Sequence, residues 1–301
     1  MHEITKTIEE VKRIMAAGKR GVLVTTIATR GSTYRRAGAR AVISKDDEAF
    51  GLISGGCVER DLAERIEKWL EAGRPQLFKY DTAQTTDILF GMGLGCRGVI
   101  DMLIEPFGPE HPPQLVEHFQ WKGRQEVLFT TLFEGRELLV EAVRPQRAVA
   151  VFGGGSDVQP VIALAGQAGW SATAFSPRTL PPEEVSQKVD LKNFDAAVVM
   201  THNFLHDLAL LEVLLPAAIP YVGLLGPKSR GEELLSQLGD VGRTFGSRLH
   251  SPIGLDLGGE TPEEIALSIV AEMQAVLNER TGISLRERKA AIHEPGKLTW
   301  A

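Results

Sequence analysis

The chain has 301 residues, 43% of them hydrophobic and 24% charged, with a formal net charge of −6. That length fits about two domains with a sizeable core, and the acidic balance argues against a general nucleic-acid binder, which is ordinarily basic. Two cysteines do not make a disulfide framework, so a reducing cytoplasm is expected; neither a signal-peptide core nor an apolar run long enough to span a bilayer is visible.

Ile4, Ile8, Val11 and Met15 place an apolar stripe on an opening helix that Gly18 can end. GVLVTTIAT (21 to 29) is β-branched and reads as a buried strand. RGSTYRRAGAR follows, a loop carrying Arg30, Arg35, Arg36 and Arg40. Two short strands, ARAVISK and EAFGLIS, are joined by a turn at Asp46 and Asp47. LISGGCVERDL (52 to 62) then passes from an apolar run through Gly55 and Gly56 into a helix. Val58, Leu62, Ile66 and Trp69 recur at helical spacing, which predicts one helix from near Cys57 to about Ala72, broken by Gly73 and Pro75. LFKYDT reads as a strand, FGMGLGCRG as a glycine loop and VIDMLIEP as the strand it feeds. QEVLFTTLFEGRELLVEAV reads as a hairpin turning near Glu134-Gly135, and RPQR (144 to 147) as a linker.

AVAVFGGG opens a second domain with a strand entering a glycine turn. A helix at 157 to 168, strands SATAF and DAAVVM, a helix at 204 to 215 and strand YVGLLG alternate, the pattern of parallel βαβ units. A last helix spans ETPEEIALSIVAEMQAVL, with Thr261 and Glu264 as a capping box and Pro262 at its first position. The expected boundaries are 1–143, 148–279 and a tail at 280–301.

Four constellations carry chemistry. Cys57 stands at a helix N-terminus, where the dipole favours thiolate; a small buried thiol is the alternative. Cys96 also follows a glycine turn, with Arg97 beside it to stabilise a thiolate. The two turns form one thiol-lined site if they converge; a disulfide or two unrelated core cysteines remain open. The arginine loop offers forked donors for phosphate or carboxylate, against a solvated charged hairpin. Gly153 and Gly155 match the first two positions of a dinucleotide-binding turn, but Val158 replaces the third glycine and Ser176 stands where a ribose-binding acid is expected. This weakens the case for NAD and leaves a phosphate- or nucleotide-binding turn, or a lost or repurposed site. His202 and His206 are four apart, as a metal pair on a helix face would be, yet no third ligand is evident. Lys228 and Arg230 follow another strand beside a glycine-proline turn, and SPIGLDLGG (251 to 259) adds a further loop, so these loops can rim one anion-binding crevice beyond the strands' carboxyl ends. No Ser-His-Asp, paired-carboxylate or CxxC pattern stands out.

GSTYRRAGARAVIS, GLISGGCVERDL, GLGCRGVIDMLIEP, VAVFGGGSDVQP, VVMTHNFLHDL, YVGLLGPKSR and LHSPIGLDLGGETPEEIALSIVAEM occur in this order over nearly the whole chain. Together they resemble the XdhC/CoxI family, the xanthine dehydrogenase accessory proteins. The resemblance implies an α/β fold, an N-terminal α/β domain followed by a C-terminal Rossmann-like parallel-sheet domain. It implies a cofactor-binding chaperone rather than a catalyst. Such a protein binds the molybdenum cofactor, molybdopterin or its dinucleotide form, transiently; supports its sulfuration by a cysteine desulfurase; and passes it to a molybdenum hydroxylase apo-enzyme. A homodimer is one expected assembly; nucleic acid and membrane are not expected partners, and NAD(P) is not the expected cofactor.

The family's glycine-cysteine stretch falls on Gly55, Gly56, Cys57 and Glu59, which places Cys57 near the molybdenum, joined by Cys96. Arg30, Arg35, Arg36 and Arg40 are expected at the phosphate end. Gly153, Gly155, Ser156, Asp157, His202, Lys228 and Arg230 are expected to bind the nucleotide or to face the first domain. Relatives often carry Cys-Gly-Gly where this chain has Cys96, Arg97 and Gly98, and a histidine where it has Ser156. The competing readings are an NAD(P)-dependent oxidoreductase and a scaffold that docks desulfurase and hydroxylase without touching cofactor.

Overall fold

The computed structural model describes residues 2–31, 33–45, 49–81, 98–121 and 123–289. Two compact units divide between Pro145 and Gln146.

The first unit is built on an antiparallel sheet of order β3-β2-β1-β5-β4, from Phe50–Gly51, Arg40–Ser44, Gly21–Gly31, Gly98–Phe107 and Gln76–Asp81. β1 lies in the middle because Val22 to Ile27 is apolar or β-branched throughout and buried on both faces. Its side chains alternate between two layers. Val22 and Val24 meet Val58, Leu62, Trp69, Met102 and Ile104. Leu23 turns the other way, to Val11, Ile14, Val42 and Phe107 under helix α1 (His2–Ala16). A large aliphatic side chain so enclosed contributes roughly 1.5–3 kcal/mol.

The helix expected over 57 to 72 is two, α2 (Cys57–Glu64) and α3 (Ile66–Ala72). Arg65 leaves helical geometry at φ −105 and ψ 12. The apolar spacing steps from fours to a three there, and the break lets Ile66, Trp69 and Leu70 reach the same core as Val58 and Leu62. Among the described residues, the strand expected over EAFGLIS pairs only at Phe50 and Gly51. Gly51 has φ +82 and a Cβ there would lie 2.5 Å from Arg40 O, so only glycine fits that edge. β6 (Val127–Phe133) and β7 (Arg136–Val143) form the separate expected hairpin, with Glu134 and Gly135 at φ 49 and 77. Both central residues being left-handed is the hairpin turn that suits strand twist.

The second unit is a parallel sheet of order β12-β11-β10-β8-β9, from Leu249–His250, Tyr221–Leu224, Ala196–Val199, Ala148–Phe152 and Ser171–Phe175. β8, β10 and β11 are buried end to end, as strands covered on both faces must be. Val149 and Val151 face the helices Val158–Gln167 and Pro262–Val276. Ala150 and Phe152 face Phe204–Leu214 and Lys228–Gln237. The expected capping box is formed, Thr261 Oγ1 accepting from Glu264 N–H and Glu264 accepting from Thr261 N–H. From β8 the chain winds outward to β9 and then returns to place β10 on the other side. That reversal is a topological switch point at the carboxyl ends of β8 and β10, where ligands of open α/β sheets bind. Among the described residues no helix is long and apolar enough to cross a membrane.

Candidate functional site

The turn before Cys57 is held by a buried carboxylate. Glu59 is 4% exposed. Its Oε1 accepts from Ile53 N–H at 2.6 Å and Ser54 N–H at 2.8 Å, and its Oε2 accepts from Ser54 Oγ–H. Ser54 Oγ in turn accepts from the N–H groups of Gly56 and Val58, each at 3.1 Å. Gly56 is left-handed at φ 102, a conformation that glycine adopts without strain, and it sets Cys57 as the first residue of α2. Cys57 is half-buried, between a core position and an open one. Among the described residues, a Cβ at Gly55 or Gly56 would meet nothing within 4 Å.

Three residues that sequence reasoning missed share this neighbourhood. Asp61 and Arg65 follow Cys57 at intervals of four, on one face of α2 and its cap. Arg65 Nη2 lies 2.7 Å from Asp61 Oδ1, while Asp61 Oδ2 is buried without a hydrogen-bond partner among the described residues. Tyr80 of β4 packs against the same core, and its hydroxyl ionises above the usual tyrosine range. Burial is the chief cause, followed by the negative charge of Asp61; Arg65 acts in the opposite sense, and Cys57 adds to the rise. The i, i+4, i+8 spacing was the available signal for Asp61 and Arg65. Cys96 and Arg97 lie outside the described residues.

The arginine loop does not present four open cations. Arg40 is 2% exposed and turned inward, donating to Glu141 Oε1 at 2.6 Å and to Gly38 O at 2.9 Å. That corrects its expected place at a phosphate: the guanidinium has an internal carboxylate. Arg35 grips both oxygens of Glu3 at 2.8 and 2.7 Å, and Arg30 meets Asp101 at 2.7 Å. These two pairs are partly exposed and weak enough to exchange for another anion. Arg36 is exposed. Hollows of about 320 Å³ beside Phe107 and about 450 Å³ beside Phe133 are lined by none of the expected residues.

In the second unit the glycine turn after β8 meets the loop after β10. A Cβ at Gly153 would lie 2.8 Å from Met200 O and 2.9 Å from Val158 Cγ2, so strand and helix approach too closely for any other residue. Val158, in the third glycine's place, is part of that packing. Ser156 follows on the exposed outer side of the turn. Asp157 folds its Oδ1 back over Gly155, and its Oδ2 lies 2.7 Å from His202 Nε2. A carboxylate thus stands against Gly155 in the glycine turn. His202 sits in the loop after β10 at φ 57, while Asn203 caps the next helix by accepting from His206 N–H. The two histidines do not share a helix face, which corrects the metal-pair geometry their spacing allows.

Asp207, fully buried, accepts from Arg230 Nε at 3.1 Å, Arg230 Nη2 at 2.5 Å and Thr201 Oγ1 at 2.5 Å. Arg230 also lies over the Phe204 ring. It ties the helix after β11 to the helix after β10, and its charge is matched by Asp207. Lys228 is exposed at the start of its helix, 3.8 Å from Glu232. The loop after β12 is pinned by Glu272, which accepts from Gly254 N–H at 2.8 Å and from Tyr221 Oη and lies 3.3 Å from His250 Nδ1. Burial raises the Glu272 carboxyl, but these contacts with His250, Tyr221 and Gly254 together outweigh it and leave it below the ordinary range. Tyr221 is pushed far above its ordinary range by burial first and its bond to Glu272 second.

Residues 14–81 match the XdhC and CoxI family, and residues 149–273 match the XdhC Rossmann domain. Over 84% of its length the chain is 31% identical to a Bacillus subtilis protein named as a probable xanthine dehydrogenase subunit, 92% of which is covered. It is 25% identical to the molybdenum cofactor insertion chaperone PaoD of Escherichia coli, over 87% of this chain and 85% of that protein. A crystal structure described as a xanthine dehydrogenase from Bacillus halodurans superposes with a TM-score of 0.77 at 26% identity, over 91% of this chain and 96% of that one.

Proposed function

The chain belongs to the XdhC and CoxI family, and on that premise we propose that it serves the maturation of a molybdenum hydroxylase. In this reading it binds the molybdenum cofactor as cargo, keeps it during sulfuration by a cysteine desulfurase, and releases it to the apo-enzyme. The observation that carries the reading is the half-buried Cys57 on a turn clamped by Glu59, with Gly55 and Gly56 before it. A thiolate suits a soft metal centre or the handling of sulfur. The fixed turn presents that thiol without cost of reordering. Of the loop arginines, Arg35, whose partner Glu3 is itself exposed, is better suited than the buried Arg40 to meet the cargo's phosphate. The chain's part is to bind, shelter and release; no residue is assigned a catalytic step. An NAD(P)-dependent oxidoreductase is disfavoured by the Asp157 carboxylate over Gly155, which opposes a pyrophosphate in the usual seat.

The test is anaerobic titration of the whole protein with molybdenum cofactor, quantifying molybdenum and pterin in the bound fraction. Cys57→Ala is expected to weaken binding at least tenfold and to reduce transfer to an apo-hydroxylase in the same proportion. Unchanged affinity and transfer in Cys57→Ala would refute the assignment of the thiol. Absence of binding by the wild-type protein would refute the cargo itself.

A further inference from the structure

We infer that the hollow beside Phe133 in the first unit is a binding site for a free amino acid with an apolar side chain, its carboxylate met by Arg74 and its ammonium by Glu134. This goes beyond the thiol-centred reading and does not depend on it, since no residue of the Cys57 turn lines the hollow. At about 450 Å³ the hollow lies within the size range of small-molecule sites. Pro75, Leu132 and Phe133 give it an apolar wall. Leu132 is 39% exposed, a large aliphatic side chain that an apolar ligand would shield from water.

The wall is fixed from behind. Gln114 donates from its backbone N–H and from Nε2 to Glu105 Oε1, each at 3.1 Å, and Glu105 is 4% exposed. The same side-chain amide pairs with the edge of β6: its Nε2 donates to Leu132 O and its Oε1 accepts from Leu132 N–H, both at 2.8 Å. One glutamine thus joins β5, the short helix Gln114–His118 and β6 at the back of the hollow. The two charged residues also stand on constrained backbone. Arg74 lies between left-handed Gly73 and Pro75, and Glu134 is itself left-handed in the hairpin turn.

Arg74 and Glu134 line one hollow without pairing with each other, and neither makes a hydrogen bond or ion pair among the described residues. His118 lines it too, but its Nε2 has an acidic neighbour, Glu117 Oε2, at 3.6 Å. A simple anion would gain Arg74 and meet repulsion from Glu134; a simple cation would meet the reverse. A zwitterion satisfies both, and its apolar side chain has Pro75, Leu132 and Phe133 to rest on.

Isothermal titration of the full chain tests this with L-leucine and L-phenylalanine. L-leucinamide, which lacks the carboxylate, and 4-methylpentanoate, which lacks the ammonium, are run beside L-leucine. L-leucine is expected to bind about tenfold or more tightly than either analogue, the effect of one charge-assisted hydrogen bond. Arg74→Gln should lower leucine to the level of leucinamide, and Glu134→Gln should lower it to that of 4-methylpentanoate. Both side chains are exposed, so both variants are expected to fold. No saturable binding of leucine or phenylalanine, equal binding of either analogue, or leucine affinity that survives either substitution would each overturn the inference. Molybdenum cofactor binding reduced by Cys57→Ala is a separate readout, so either proposal can fail alone.

Discussion

Replacing Glu59 by alanine removes the acceptor that holds the cysteine turn. In the native chain its carboxylate takes bonds from Ile53 N–H, Ser54 N–H and Ser54 Oγ–H, all in the protein interior. A buried donor left without a partner costs about 1–3 kcal/mol. Two stranded backbone donors and a freed serine hydroxyl, partly relieved by entering water, therefore predict a loss of roughly 3–5 kcal/mol. That is a large share of the roughly 5–15 kcal/mol typical of a folded domain. Glu59→Gln keeps one oxygen for the two backbone donors and loses mainly the serine bond, so its cost should fall near 1 kcal/mol. Urea unfolding measures both variants. Alkylation of Cys57 in a Cys96→Ser background reads the turn itself: Glu59→Ala should change its rate severalfold under native conditions, and Glu59→Gln by much less. A Glu59→Ala protein within about 0.5 kcal/mol of wild type, with unaltered alkylation, would refute the clamp.

Arg230→Ala leaves Asp207 buried without its counter-charge, retaining only Thr201. Breaking a buried pair from one side costs roughly 3–5 kcal/mol, and denaturant melts should show it, whereas Lys228→Ala on the exposed helix start should stay within about 0.5 kcal/mol. Tyr221 and Glu272 set opposite pH limits for the second unit. Tyr221 has its folded pKa raised, so its contribution is complete below the unfolded value near 10 and declines as pH rises beyond it. Glu272 has its folded pKa lowered, so its contribution is complete above the unfolded value near 4.3 and declines as pH falls. Thermal melts across pH, with tyrosinate absorbance followed in parallel, should place Tyr221 ionisation together with unfolding; Tyr221 ionising reversibly in the folded chain near pH 10 would contradict the burial argument.

The alternation of the second unit was legible because buried parallel strands are continuous apolar runs, and Gly153, Thr261 and the Glu134-Gly135 turn carry their geometry in local sequence. The break at Arg65 was not, since Val58 to Trp69 satisfies a single helical period until Leu70 must also reach the core. Arg40 looked like its neighbours Arg35 and Arg36; its partner Glu141 lies 101 residues away. The same distance problem hid Asp157 and His202, which belong to different strand-end loops 45 residues apart. Glu59 was singled out as part of a motif, but its task of satisfying backbone donors at 53 and 54 depends on a turn that residue types alone do not draw. At the thiol, the helix start and its glycines were readable, whereas Tyr80 arrives from a strand across the sheet edge.

Two ionic ties at the carboxyl end of the second unit's sheet differ in how far water reaches them. In the tie between Asp207 and Arg230 the carboxylate is 1% exposed and the guanidinium side chain 23%, so the helices that follow β10 and β11 are joined through a buried charge. Asp157 with His202 stands 23% and 59% exposed, where such a contact is worth about 0–1 kcal/mol. An incoming molecule can undo the second with a single well-placed group and leave the first intact. Any rearrangement at this end of the sheet is therefore expected first at the Asp157–His202 contact, while the bond between Asp207 and Arg230 holds.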